Sequence, residues 1–285
     1  MDVIKNKKWV ISLLAVLLLA ACSTAQFGYR FLDNLMRWEV NKYVSLVGQQ
    51  STDLDQALDV FHAWHRSSQL PVYSEFLDQQ GKVLAAPVMS GAQLQQAYNR
   101  AMSLWRVSAR QLLPDLTQLI SSLDEAQVAQ LQKNMDKKNR EFEEEYLKPS
   151  REARRAEREE KMVDRLKKWI GDPDDQQLEL VKQWVDTLSF EMPPRVEQRQ
   201  LMRQRFEAAL KVRSEPVQLQ RLLAGIVVNP EQNWTPAYRK YLQFNRQQTY
   251  QLMIKLHASL SQQQKDKLLG KLAGYQQDFA NLSRQ

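Results

Sequence analysis

Few side chains in this 285-residue chain are typed and spaced for chemistry. Asp59, His62 and His65 recur at three-residue steps within Asp59-Val60-Phe61-His62-Ala63-Trp64-His65-Arg66. On a helix such side chains drift round one side, where they could meet a metal or exchange a proton with a carboxylate. Zinc-binding helices place histidines four apart, however, and no acidic or cysteine motif follows; His257 is the one remaining histidine. The stretch therefore reads as a half-buried helix face with hydrogen-bonded imidazoles, and no metal is expected. A glycan-cleaving enzyme would need a protonated glutamate in a cleft, for which Glu75 in Ser74-Glu75-Phe76-Leu77 is the candidate, one glutamate among many. The chain has no glycine-rich phosphate loop, no Gly-x-Ser-x-Gly elbow and no His-Glu-x-x-His. Neither a catalytic residue nor a cofactor is expected, which leaves binding as the expected activity and a glycan-acting enzyme as the alternative.

The other reactive group is the thiol of Cys22, the sole cysteine, which ends Leu19-Ala20-Ala21-Cys22. Lys5, Lys7 and Lys8 precede an apolar run, residues 9–19, that is too short to span a bilayer. This arrangement resembles the bacterial lipobox. The resemblance implies removal of residues 1–21, lipidation of Cys22 with diacylglycerol and a further acyl chain such as palmitate, and a membrane partner reached through those chains. Ser23 in place of aspartate implies the outer membrane of a Gram-negative cell, on its periplasmic face. With its thiol acylated, the mature chain has none left for a disulfide, so packing must supply its stability. It would carry 37 basic and 32 acidic residues. So mild an excess argues against nucleic acid as a partner and fits anionic membrane or acidic glycan better.

The elements that position these groups read as all-α, an elongated multi-helix bundle. Helix caps recur, and no stretch alternates strictly between apolar and polar residues. A first helix carries Phe31, Leu35, Trp38, Val40 and Tyr43, and Gly48 is its expected stop. Thr52 with Asp55 resembles a capping box opening a helix to about Leu77, bent at Pro71, with Leu54, Leu58, Phe61 and His65 on one stripe. Residues 80–90 read as a loop. Asp172-Pro173, Ser214-Glu215-Pro216 and Thr235-Pro236 read as later helix starts, and Gly171 as a stop. Pro193-Pro194 is the candidate boundary between an N-terminal helical region, 22–192, and a C-terminal one, 193–285. The tryptophans sit among leucines at helical spacing and read as core.

An internal repeat runs at a separation of 137 residues. Leu119, Leu123, Gln127, Leu131, Met135 and Phe142 align without gaps on Leu256, Leu260, Gln264, Leu268, Leu272 and Phe279. In each copy the spacing predicts a helical hairpin corner. Asp124 or Ser261 is the N-cap, Gln127 or Gln264 reaches back to the cap amide, and Leu123 or Leu260 staples onto the first turn. Between the copies lies a long charged helical arm, residues 136–168, in which 22 of 33 residues are charged. A thin seam, Phe142, Tyr146, Pro149, Ala153, Ala156, Val163 and Ile170, would rest on a partner, with Arg155–Glu159 and Glu157–Lys161 as four-residue ion pairs.

Phe27-Gly28-Tyr29, Trp38, Tyr43, Ala63-Trp64-His65-Arg66 and Leu70-Pro71-Val72-Tyr73 together resemble a family of uncharacterised proteobacterial lipoproteins. That resemblance implies an all-helical envelope protein with no assigned reaction. Leu260-Ser261-Gln262-Gln263-Gln264 is similar to the Leu-Thr-x-x-Gln motif of the Spy and CpxP periplasmic stress proteins, and Leu123-Asp124-Glu125-Ala126-Gln127 resembles it with aspartate in the threonine position. This implies chaperone-like or scaffold binding of envelope protein clients, while the charged arm reads first as a solvated helix and, as the alternative, as a contact for a client or peptidoglycan.

Overall fold

The computed structural model describes residues 24–285, so Leu19, Ala20, Ala21 and Cys22 lie outside the described residues. Within them the chain is helical, without a strand. Helices α1 (Thr24–Arg30) and α2 (Leu32–Asn41) lead into α3 (Gln49–Trp64) and α4 (Leu70–Ala85), joined by a π segment, His65–Gln69. There follow α5 (Gly91–Ser121), α6 (Glu125–Phe142), a second π turn (Glu143–Leu147), α7 (Arg151–Ile170) and α8 (Asp175–Thr187). Helices α9 (Pro193–Lys211), α10 (Pro216–Val227), α11 (Pro236–Ser259) and α12 (Gln262–Leu282) complete the bundle. Helix α12 packs on α4, α10 contacts both α5 and α9, and α8 contacts both α7 and α11.

Two apolar cores do most of the stabilising. One gathers Val44, Ile120, Leu123, Leu131, Leu210, Leu219 and Leu223; the other gathers Val181, Trp184, Val185, Leu188, Leu252 and Leu256. Leu219, Leu223 and Val181 are wholly buried, and each such side chain contributes about 1.5–3 kcal/mol by leaving water. His257 is buried as well, its Nε2 2.9 Å from the Leu84 carbonyl oxygen, which ties α11 to the end of α4.

The π segment has a visible cause. Pro71 has no N–H, and its ring crowds the carbonyl one turn back. The chain accommodates this by widening the preceding turn, where Ser67 and Ser68 donate their hydroxyls to the Ala63 and Trp64 carbonyls. The bend expected at Pro71 is thus a change of helical register.

Several expectations are corrected. Helix α3 opens at Gln49, so Thr52 lies inside it, and Gly48 (φ +51°) precedes α3 rather than ending α2. Residues 80–85 are helical because α4 continues to Ala85. Asp174, beyond Pro173, caps α8, because its carboxylate reaches the Gln177 N–H. Pro193 and Pro194 form the first turn of α9, where a missing N–H costs no helical hydrogen bond. The charged arm is two elements, broken at Pro149 and Ser150, with the Ser150 hydroxyl capping α7 through the Ala153 N–H. Ala153 and Ala156 are exposed, so the seam does not run through them. Instead α7 docks through Met162, Val163 and Leu166 against the second core. Glu157 pairs with Lys161, but Arg155 reaches Asp186 on α8 rather than Glu159. Trp184 is core, whereas Trp38 and Trp105 are 60% and 55% exposed.

Gly171 ends α7 with φ +90° and ψ −162°, a region that side-chain-bearing residues rarely enter. A Gly171→Ala variant should lose about 1–3 kcal/mol of stability in urea unfolding. An unchanged midpoint would show that this corner relaxes freely.

Candidate functional site

The glutamines of the repeat build more than caps. At Asp124 the carboxylate accepts from the Gln127 N–H (2.8 Å), while the Gln127 side-chain Oε1 accepts from the Asp124 N–H (3.1 Å). Ser261 and Gln264 do the same at 3.2 and 3.1 Å. A third corner repeats the arrangement with Asp174 and Gln177, and a fourth has its glutamine half alone, Gln50 accepting from the Val47 N–H. These four glutamines meet in two pairs. Gln50 and Gln127 exchange amide hydrogen bonds at 2.9 and 2.7 Å, and Gln177 and Gln264 at 2.8 and 2.9 Å. Each Nε2 also donates to the carbonyl five residues before its partner: Ser122, Ser45, Ser259 or Asp172. Every amide oxygen therefore accepts twice, and every amide nitrogen donates to its partner and to a corner carbonyl, so the hydrogen-bonding capacity of each amide is filled. Leu123 is buried beneath its corner, as a staple should be; Leu260 is half-buried.

The first pair closes one end of a cleft. Gln50 and Ser122 line it, together with Met36 and Val40 from α2, Leu54, Ala57 and Leu58 from α3, and Leu112, Leu116 and Leu119 from α5. The cleft holds about 330 Å³ and its surface is mostly apolar. Its charged members are Glu39, Asp53 and Asp115. Burial pushes the Asp115 carboxyl above its ordinary value, so a cation entering the cleft would meet a carboxylate short of solvation.

Counting from the paired glutamines shows what opened this space. Ala57 lies seven residues after Gln50, and Trp184 seven after Gln177. Asp53 corresponds in the same way to Leu180, and Asp115, counted back from Gln127, to Leu252 counted back from Gln264. Beside the second pair these positions are filled by an indole and two leucines of a closed core. Beside the first they hold a methyl group and two carboxylates, and there the apolar cleft lies against the packed first core. Sequence reading missed this because the Gln50 corner has Val47 where the others have Asp or Ser. The signal that finds it is the offset of 127 residues between Gln50 and Gln177.

The histidine cluster is placed by the π turn. His65 Nδ1 lies 3.0 Å from the Tyr29 hydroxyl, its Nε2 3.2 Å from the Tyr73 hydroxyl, and Tyr73 continues to Ser108 Oγ at 3.1 Å. This chain fastens α1, the segment nearest Cys22, to α4 and α5. Asp59 is exposed, His62 Nε2 is buried without a hydrogen-bond partner, and His62 stacks at a tilt on Tyr29. Among the described residues no three His, Cys, Asp or Glu side chains converge as metal ligands. Glu75 is exposed and accepts from Gln79 at 3.3 Å. Burial, helped by the neighbouring His62, holds His65 down to about 4, and burial pushes the Tyr29 phenol up to about 12.

The unfolded chain binds a proton at His65 near pH 6.5, and the folded chain binds it only near pH 4. The stability this linkage contributes is complete above pH 6.5 and is lost as pH falls through that window. An NMR titration of the His65 ring should give a midpoint near pH 4, and a midpoint near 6.5 would contradict the buried, hydrogen-bonded placement.

Neither the curated proteins nor the solved structures contain a match to this chain. A family model does match, over residues 42–239, which covers the apolar cleft from Gln50 to Ser122, the first amide pair and Gln177. The chain belongs to the family of unknown function DUF6279.

Proposed function

We propose that this chain is a lipid-anchored, periplasm-facing envelope protein that acts by binding, holding apolar, positively charged segments of unfolded envelope proteins in a chaperone-like manner. The observation that carries this reading is the acid-lined apolar cleft beside the first core. Two equivalent frameworks are built by the same amide pairs, and one is opened by Ala57 and lined with Asp53 and Asp115. An apolar cleft that faces water gains by being covered, which fits a surface that takes an apolar partner. Apolar walls take a client side chain without demanding one shape, and the carboxylates select clients carrying lysine or arginine. The adjoining face of α2 extends the apolar surface, since Leu35 and Trp38 are 52% and 60% exposed and Phe31, which precedes the helix, is 46% exposed. The anchoring part of the reading rests on the Leu19-Ala20-Ala21-Cys22 pattern and would keep the cleft close to the membrane. The similarity of the Leu260 to Gln264 corner to the Spy and CpxP motif supports the same kind of activity.

The mature domain, in stoichiometric excess, should slow aggregation of an unfolded outer-membrane protein diluted from urea. Ala57→Trp, which installs the residue of the filled framework, should abolish that effect. Asp115→Leu should weaken it most for basic clients. Undiminished protection by folded Ala57→Trp and Asp115→Leu variants would remove the cleft from the mechanism.

A further inference from the structure

The second framework carries a different surface. On α7 the basic residues Arg154, Arg158, Lys161 and Arg165 follow one another at steps of four, three and four, which sets them on a single helix face. That face lines a groove of about 450 Å³ whose opposite wall is α11 and the segment before α9. Arg195 joins the stripe from across the groove, stacked on Tyr146 at 5.0 Å. Of the side chains lining the groove one is acidic, Glu157, and Lys161 already neutralises it. Tyr238 and Tyr241 present stacked rings 6.3 Å apart. The wall is held in place by Asn245, which accepts from the Ser189 N–H at 2.8 Å and donates to its carbonyl at 3.0 Å.

Two residues of the lining each carry a buried donor without a partner. Trp184 is 7% exposed and its indole Nε1 is buried without an acceptor; the Arg154 Nε is in the same condition. Buried donors are almost always satisfied, and here both border a space lined by cations and phenols. The groove offers N–H and O–H donors along its length and has few free acceptors. A peptide would bring a backbone N–H with each residue that such walls leave unpaired. A ligand rich in oxygen would be matched throughout, and the flat phenol faces suit the C–H faces of a sugar ring. The basic stripe runs from Arg154 to Arg165, eleven residue steps or roughly 16 Å of helix, so it matches an extended ligand with more than one anionic group.

We propose that this groove binds an anionic saccharide, with its carboxylate or phosphoryl groups on the α7 stripe, its rings against the tyrosines and one oxygen accepting from Trp184 Nε1–H. The site is separate from the apolar cleft and stands whether or not that cleft holds clients. It is tested by following the Trp184 indole N–H resonance of the ¹⁵N-labelled mature domain, with calorimetry, against a muropeptide carrying free carboxylates and a phosphorylated glucosamine disaccharide. A shift of that resonance is expected with at least one of them, weakening as salt is raised, and the ligand that produces it identifies carboxylate or phosphoryl as the source. An Arg158→Ala, Arg165→Ala double variant should lose about tenfold or more in affinity, and Trp184→Phe should bind more weakly while keeping its helical circular dichroism. Equal binding of neutral chitotetraose would overturn the proposal, as would tighter binding of polyglutamate or an unmoved indole resonance with both anionic sugars.

Discussion

The structure depends on a pair of side-chain amides that satisfy each other. When two glutamines exchange hydrogen bonds and each also takes a corner carbonyl and a corner N–H, no valence is left for water, and the amides can be buried without penalty. Gln177 shows this at its limit, with no exposed surface. The geometry admits little slack, because moving either helix start breaks bonds at both corners. The pairs therefore fix the relative positions of helices far apart in sequence: α3 against α6, and α8 against α12.

From that constraint the clefts follow. Each pair fixes a three-helix neighbourhood, α2, α3 and α5 in one case and α7, α8 and α11 in the other. Side-chain volume then decides what each becomes. Trp184 and two leucines close the second core and leave its outer rim to the arginine stripe and tyrosines, whereas Ala57 with two aspartates lines an open cleft beside the first core. The same frame thus presents an acid-lined apolar space at one end and a basic, aromatic groove at the other, an opposition of charge within a chain whose overall excess is mild. The hydrogen-bonded chain from Tyr29 through His65 to Ser108 ties the N-terminal helix to this frame.

Much of this was legible in the sequence, for identifiable reasons. Asp124-x-x-Gln127 and Ser261-x-x-Gln264 announce capping boxes locally, and the helical class follows from composition and caps. The partner corners were hidden because Val47 carries no capping side chain and Pro173 displaces attention from Asp174. Reciprocal pairing joins residues 77 and 87 positions apart, and no local pattern encodes it. The arginine stripe on α7 was present as a 4-3-4 spacing, but it was masked by the opposite charges that fill the rest of that helix. Trp38 was read as core and is exposed, because an amphipathic pattern shows that a face is apolar and does not show what covers it.

The most direct measurement is a double-mutant cycle at the buried pair: Gln177→Met, Gln264→Met and the double variant, followed by urea unfolding. Each single change should be strongly destabilising, because it orphans the partner's amide in the core. The double variant should cost less than the two together by about 1–3 kcal/mol. Additive effects would mean that the two corners are stabilised independently, and the account of a frame set by reciprocal amides would fail.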